Sequence, residues 1–168
     1  MSDIVRDRQK YVQGWQGGLP ETKCGSGSRL KNTVAQREWI PKIIKKYGIK
    51  SIADIGAGDL NWIKTMDMSG IDYTAYDLVP RVDSVIGFDL VQEVPPKVDM
   101  IMCLWVLNHM MIDESRAAIA NLKASGSKYL MMTDRPIWHC DQPEEIHMPY
   151  IESLRLTAKG DQLLLIEL

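Results

Sequence analysis

The chain has 168 residues, enough for one domain that buries roughly 70% of its unfolded surface, so no disulfide or metal staple is needed to hold it together. Twenty Lys and Arg against 22 Asp and Glu give a net charge of -2, and the 45% hydrophobic and 25% charged fractions are those of a folded soluble domain rather than a disordered or polybasic one. The three cysteines (Cys24, Cys103, Cys140) are odd in number and lack C-x-x-C spacing; neither a disulfide framework nor a thiolate metal site is indicated, and a reducing, cytoplasmic setting is expected.

The opening MSDIVRDRQK is too polar for a signal-peptide core, and no apolar run approaches the ~18 residues of a membrane span. Charge is unevenly spread. Residues 1–50 carry a surplus of seven positive charges and residues 51–168 a surplus of nine negative ones. Lys42, Lys45, Lys46 and Lys50 read first as the solvated face of a helix, with an anion-binding surface as the other reading.

Lys10 to Leu30 is Gly-rich and aperiodic, so residues 1–32 read as an irregular extension of a single domain spanning 1–168. From Thr33 a stripe of Val34, Ile40, Ile43, Ile44 and Tyr47 predicts a helix. Thr33 stands at its cap with Gln36 three positions on, and Gly48 is the stop. Pro41 predicts a kink or a fresh helical start. Strands are then expected over 51–57, 72–79, 84–90, 98–107 and 128–134, with helices over 60–66 and 114–126. Their near-continuous apolarity suits a parallel sheet covered on both faces. Residues 135–149 read as a loop, and SLRLTA and QLLLIEL, flanking Lys159-Gly160-Asp161, as an antiparallel hairpin. The fold class is therefore α/β, a mostly parallel sheet closed by a C-terminal antiparallel hairpin.

The strongest local signal is Asp54-Ile-Gly56-Ala-Gly58-Asp-Leu at a strand-to-helix junction. Its glycines permit a tight turn and a close ligand, and free N–H groups of a following helix could receive an anion. Asp77 follows 21 residues after Gly56, near the spacing at which a carboxylate grips ribose hydroxyls. The dinucleotide fingerprint fails, because Asn61 stands where a third glycine belongs, and no G-x-x-x-x-G-K-[ST] loop is present.

SIADIGAGDLNW, YTAYDLVP, GFDL, VDMIMCLWVLNHM and GSKYLMMTD, in this order over about residues 50–134, resemble the successive motifs of the class I S-adenosylmethionine-dependent methyltransferases, a family with a Rossmann-like fold. GSGSRLKNT followed by REWIPKII further resembles a small subgroup in which a GSGS-containing lead-in precedes a D-x-x-x-G-D-x-x-W turn. The resemblance implies strand order 3-2-1-4-5-7-6 and S-adenosylmethionine as cofactor. It places Gly56 and Gly58 under the methionine part, Asp54 at the loop and the cofactor's amino group, Asp77 on the ribose and Asp89 on the adenine amino group. Ala57, Leu78 and Leu90 flank these positions, Asp99 opens the fourth motif, and Cys103 and Leu104 stand where cofactor and acceptor meet.

Transfer of a methyl group from a sulfonium requires in-line positioning, exclusion of water and, for a protonated acceptor, a base. His109 is the candidate base, with capping or packing at the next helix as its other reading. Trp62 and Trp105 read as an aromatic wall of the site or as core. Cys103 has no partner base, which argues against a catalytic thiol. His139, Cys140, Asp141 and His147 match no zinc spacing, so no metal is expected. Arg135, Trp138 and His139, with Gly25–Ser28 of the lead-in, are the candidates for acceptor recognition. No D/N-P-P-Y/F element occurs, which disfavours DNA bases. The expected reaction is methyl transfer to a small-molecule or nucleotide-like acceptor, with RNA open through the basic N-terminal region; a noncatalytic S-adenosylmethionine-binding module is the alternative.

Overall fold

A computed structural model describes residues 20–134, 148–156 and 161–168. Its seven strands are β1 (Ser51–Ile55), β2 (Asp72–Asp77), β3 (Val85–Gly87), β4 (Met100–Cys103), β5 (Tyr129–Asp134), β6 (Glu152–Arg155) and β7 (Gln162–Glu167). They form one sheet in the order β3-β2-β1-β4-β5-β7-β6. Pairing is parallel from β3 to β5, with Ala53 opposite Thr74 on one side and Ile101 on the other, and antiparallel between β5 and β7 and between β7 and β6. The expected order is thus the observed one. Of the loop expected over 135–149, residues 135–147 lie outside the described residues, as do 157–160 of the expected hairpin, and with them Arg135, Trp138, His139, Cys140, Asp141 and His147.

The side-chain period of two divides the apolar strands between two cores. Ala53, Ile55, Ile101, Cys103, Leu130, Met132, Leu164 and Ile166 pack on one face with Ala118 and Leu122 of helix α2 (Ile112–Ala124). Ile52, Met100, Met102, Met131, Leu163 and Leu165 pack on the other with Ile40 and Ile43 of helix α1 (Val34–Tyr47). Gly48 ends α1 in the left-handed region at φ 65°, and the Ile49 N–H donates to the Ile44 carbonyl.

Several expectations are corrected. Pro41 does not restart the helix, since α1 runs through it from Val34 to Tyr47; Pro41 itself is exposed, on the side where water can serve the carbonyl it leaves unbonded. Thr33 occupies the cap position but does not cap, since its hydroxyl lies against the carbonyls of Arg29 (3.1 Å) and Leu30 (3.3 Å). The helix over 60–66 shrinks to a 3-10 turn at Ile63–Thr65, because Leu60 sits at φ 59°. Strand 98–107 stops at Cys103, because Trp105 is also at φ 59° and gives its N–H to the Thr133 hydroxyl (3.1 Å). Strand 84–90 is cut to Val85–Gly87, with Asp89 turning the chain by accepting the Val91 N–H. Helix α2 starts two residues early because the Glu114 carboxylate caps the Met111 N–H at 3.0 Å.

At the N-terminal edge of the sheet, Asp99 joins β1 to β4. Its carboxylate accepts the N–H groups of Lys50 (2.7 Å) and Ser51 (3.0 Å), while its own N–H donates to the Ser51 hydroxyl (2.9 Å). The Lys50 N–H is the largest influence holding its pKa below the usual 3.8. A depressed carboxylate stabilises the fold fully above the unfolded value and loses that contribution as pH falls below it. Asp99→Ala is therefore expected to lower unfolding free energy by about 1–2 kcal/mol at pH 7, discounted for solvent screening. Urea titrations should show the difference between variant and parent closing as pH falls below about 4.

Candidate functional site

The C-terminal edge of the parallel strands, where chains of this topology carry their ligands, holds a cavity of about 350 Å³. Its wall is drawn from the loop after β1, the end of β2 and the chain after it at Asp77–Val79, the chain beyond β4 at Leu104–Val106, the lead-in at Cys24–Ser28 and the start of α1 at Thr33 and Gln36.

The β1 loop is built around its glycines. Gly56 (φ 85°) and Gly58 (φ 64°) occupy backbone that disfavours any Cβ. A Cβ on Gly56 would come within 2.3 Å of Val106 Cγ2, and one on Gly58 within 2.7 Å of Cys24 Sγ. The loop's donors are spent internally. The N–H groups of Gly56 and Ala57 donate to the Tyr76 carbonyl (2.8 and 3.0 Å), and that of Gly58 donates to Asp77 Oδ2 (2.8 Å). No α-helix follows. The expected reception of an anionic group by free N–H groups of a following helix is therefore corrected, a 3-10 turn at Ile63–Thr65 standing in place of that helix.

Asp77 also accepts the Val79 N–H through Oδ1 (2.9 Å), so each carboxylate oxygen holds one backbone donor and keeps capacity for another. Desolvation raises its pKa above the ordinary value against those two hydrogen bonds and nearby Arg81, which also lines the cavity. Asp54 is buried in the same wall at 4% exposure and accepts the Tyr73 hydroxyl at 2.6 Å. Burial pushes its pKa up to about 7, with the Asp77 charge adding to the shift. The Tyr73 hydroxyl is pushed up in turn by burial and by Asp54.

Asn61, the residue in place of a third glycine, pins the lead-in. Its Nδ2 donates to Glu21 Oε1 (3.0 Å) and the Ser28 carbonyl (2.9 Å), and that same Glu21 oxygen accepts the Leu30 N–H at 2.6 Å. Asp59 Oδ2 accepts the Thr22 hydroxyl (2.8 Å) and the Lys23 N–H (2.6 Å). Burial raises the Asp59 pKa, but these hydrogen bonds bring it below the ordinary value overall. Sequence reasoning missed Asp59, Asn61, Glu21 and Thr22 as a clamp; the only local signal was the departure from glycine at 61.

The expected site residues divide. Asp54, Gly56, Ala57, Gly58, Asp77, Leu78, Leu90, Leu104 and His109 all line the cavity, as do Trp62, Trp105 and Gly25–Ser28. Asp89 and Cys103 are not among its lining residues. Cys103 packs in the α2-side core, where burial pushes its thiol up to about 12. Asp89 is buried beside the cavity, between the lining residues Phe88 and Leu90, accepting the Val91 N–H at 3.1 Å. Asp99 lies at the opposite edge of the sheet. Lys42, Lys45, Lys46 and Lys50 are exposed and outside the cavity wall. No group of three or more potential metal ligands occurs among the described residues, and no described helix is long and apolar enough to cross a membrane.

No family model and no curated protein matches the sequence. Solved structures do match the fold. The N-methyltransferase NodS from Bradyrhizobium japonicum WM9, in complex with S-adenosyl-L-homocysteine, superposes with a TM-score of 0.70 at 12% identity, over 92% of this chain and 96% of that one. The methyltransferase domain of bacterial CtHen1-CN gives 0.60 at 11% identity, over 83% and 100%. Magnesium protoporphyrin IX methyltransferase from Synechocystis PCC 6803 with bound SAM gives 0.55 at 14%, over 80% of each chain. The chain has the Rossmann-like class I methyltransferase fold. Its cavity lies at the strand edge where open parallel sheets bind ligands.

Gly58→Ala is expected to destabilise the protein by about 1–2 kcal/mol from its positive φ alone, with a further loss from the Cys24 collision. Cys24→Ala in the same chain should recover the collision part and none of the φ part. Chemical denaturation of both single variants and the double variant measures the split, and full additivity would show that the two residues do not touch.

Proposed function

We propose that this protein transfers a methyl group from S-adenosylmethionine to a small-molecule or nucleotide-like acceptor. The observation that carries the reading is a cavity with two carboxylates, Asp54 and Asp77, at the end of a glycine turn whose own N–H groups are already bonded. A diphosphate needs free donors and finds none on this turn, whereas a cationic, ribose-bearing ligand finds acceptors. The class I fold and the bound S-adenosyl ligands in two of its structural neighbours support the same cofactor. When bound, that cofactor supplies an activated methyl carbon.

The chain's own residues do the rest. Asp77 accepts from ribose hydroxyls, Asp54 offsets positive charge, and Gly56, Ala57 and Gly58 allow close approach beside Leu78. Leu90 and Leu104 supply apolar walls, and Trp62 and Trp105 exclude water and hold a planar group. His109, exposed at the rim on a 3-10 turn, accepts the acceptor's proton on an imidazole nitrogen. Asp89, buried beside the cavity, accepts from the adenine amino group, and Cys103 serves packing. Residues 1–168 act as one domain, with the GSGS lead-in as the lid of the site.

Calorimetry with S-adenosylhomocysteine, S-adenosylmethionine and NAD tests the cofactor, and preference for NAD would sink the reading. Asp77→Ala should weaken S-adenosylhomocysteine binding by about 1.5–3 kcal/mol. Asp54 adds a pH signature. Its raised pKa means the free protein holds a proton up to about pH 7 that the cofactor's bound ammonium displaces. Affinity for S-adenosylmethionine should therefore rise as pH climbs to about 7 and level off above it, with a proton released on binding. The ligand-free protein should lose stability over the same rise, because burying the ionised carboxylate is unfavourable.

His109→Gln should lower turnover about 100-fold or more while S-adenosylhomocysteine affinity stays within about twofold. A labelled-methyl screen of nucleosides, small amines, phenols and RNA supplies the acceptor. Cofactor binding without transfer to any of these would favour a binding module over an enzyme.

A further inference from the structure

The inward stripe of α1 consists of Thr33 at its cap position, Gln36, Ile40 and Ile43, all buried. The two isoleucines meet the sheet-side core, whereas Thr33 and Gln36 line the cavity. The stripe therefore turns from apolar to polar where it leaves the sheet for the site. The Thr33 hydroxyl is satisfied by the carbonyls of Arg29 and Leu30. Gln36 is only 3% exposed, and its Oε1 has no hydrogen-bond partner.

A leucine or methionine would fill this helix position without stranding an amide, so packing does not explain the residue. Arg29 and Arg37 also bury an unpartnered Nε, but neither lines the cavity. Among the described residues, Gln36 is the cavity-lining side chain with a buried, unpartnered polar atom. The terminal torsion of glutamine is broad, so a small rotation presents either amide atom to a ligand.

Resting on the methyl-transfer function proposed above, we infer that Gln36 selects the methyl acceptor by reading a planar group that carries a donor beside an acceptor, as a primary carboxamide or a nucleobase edge does. Oε1 accepts the ligand's N–H, and the Gln36 Nε2 donates to the neighbouring acceptor, the pairing by which glutamine reads adenine. Trp62 and Trp105 line the same cavity and suit a planar ligand. Gln36 serves the acceptor rather than the cofactor: it stands on α1, apart from the β1 loop and the end of β2 to which the proposed function gives the cofactor.

The test uses the full chain saturated with S-adenosylhomocysteine and measures binding of three probes by ligand-observed NMR. Benzamide carries the donor and acceptor, acetophenone lacks the donor, and 9-methyladenine presents the pair on a nucleobase. Benzamide or 9-methyladenine should bind about tenfold more tightly than acetophenone, and the tighter of the two identifies the source of the group. In Gln36→Leu and Gln36→Met that preference should vanish, with melting temperature unchanged or raised and S-adenosylhomocysteine affinity within about twofold. Two apolar replacements of different shape guard against a packing defect in one. Equal binding of all three probes to the parent protein overturns the inference, as does retained preference in both variants or a parallel loss of S-adenosylhomocysteine affinity. Failure of S-adenosylhomocysteine to bind the parent protein instead overturns the proposed cofactor.

Discussion

The site depends on how β2 satisfies the backbone of the loop that follows β1. The Tyr76 carbonyl takes the N–H groups of Gly56 and Ala57, and the Asp77 carboxylate takes those of Gly58 and Val79. Four donors at a sheet edge would otherwise turn to water or to a ligand. With them bonded, the loop is held before any ligand arrives, and its two positive-φ glycines let Val106 and Cys24 pack against it more closely than a Cβ would permit. The β4 loop and the lead-in are thereby brought to the same wall. The cost of a half-buried carboxylate is only partly offset by two backbone hydrogen bonds to one side chain.

The strand-to-strand crossover above this loop has given up its α-helix, and the lead-in takes over part of the enclosure. Leu60 at φ 59° prevents helix propagation from the turn, leaving the Asp59 and Asn61 side chains free to reach residues 21–28. A helix there could have offered its first N–H groups to an anion; the clamp instead spends two side chains on holding residues 21–28.

Strand order, the central place of residues 51–55 and the terminal hairpin were legible because apolar runs and turn residues recur along the chain. The α1 stop was legible for the same reason: Gly48 needs no distant partner to end a helix. The clamp was not legible. Asp59 meets Lys23 across 36 residues and Asn61 meets Glu21 across 40, distances over which no local pattern carries information. The positive φ of Leu60 and Trp105 was hidden for a related reason, since neither residue type favours that region and both are held there by their surroundings. Cys103 is different. Strand parity already aligned it with Ile101, away from Met102 and Leu104, so its place in the α2-side core was available from the sequence.

The remaining constraint is electrostatic. Asp54 is buried with a tyrosine hydroxyl as partner and the Asp77 carboxylate near enough to raise its pKa further. In a purely structural position an asparagine would accept the Tyr73 hydroxyl without the desolvation cost of a charge. A carboxylate gains over the amide only when positive charge enters the cavity, because the low dielectric that makes the empty site reluctant to ionise also strengthens its attraction for a cation. Burial, with the Asp77 charge, raises the Asp54 pKa to about 7, so a proton can neutralise the carboxylate in place of that charge. Binding of a cation there would exchange one positive charge for another, leaving the net charge of the buried wall almost unchanged. Folding alone gives no reason for a carboxylate at this position, and the satisfied loop beside it leaves Asp54 as an acceptor facing the cavity.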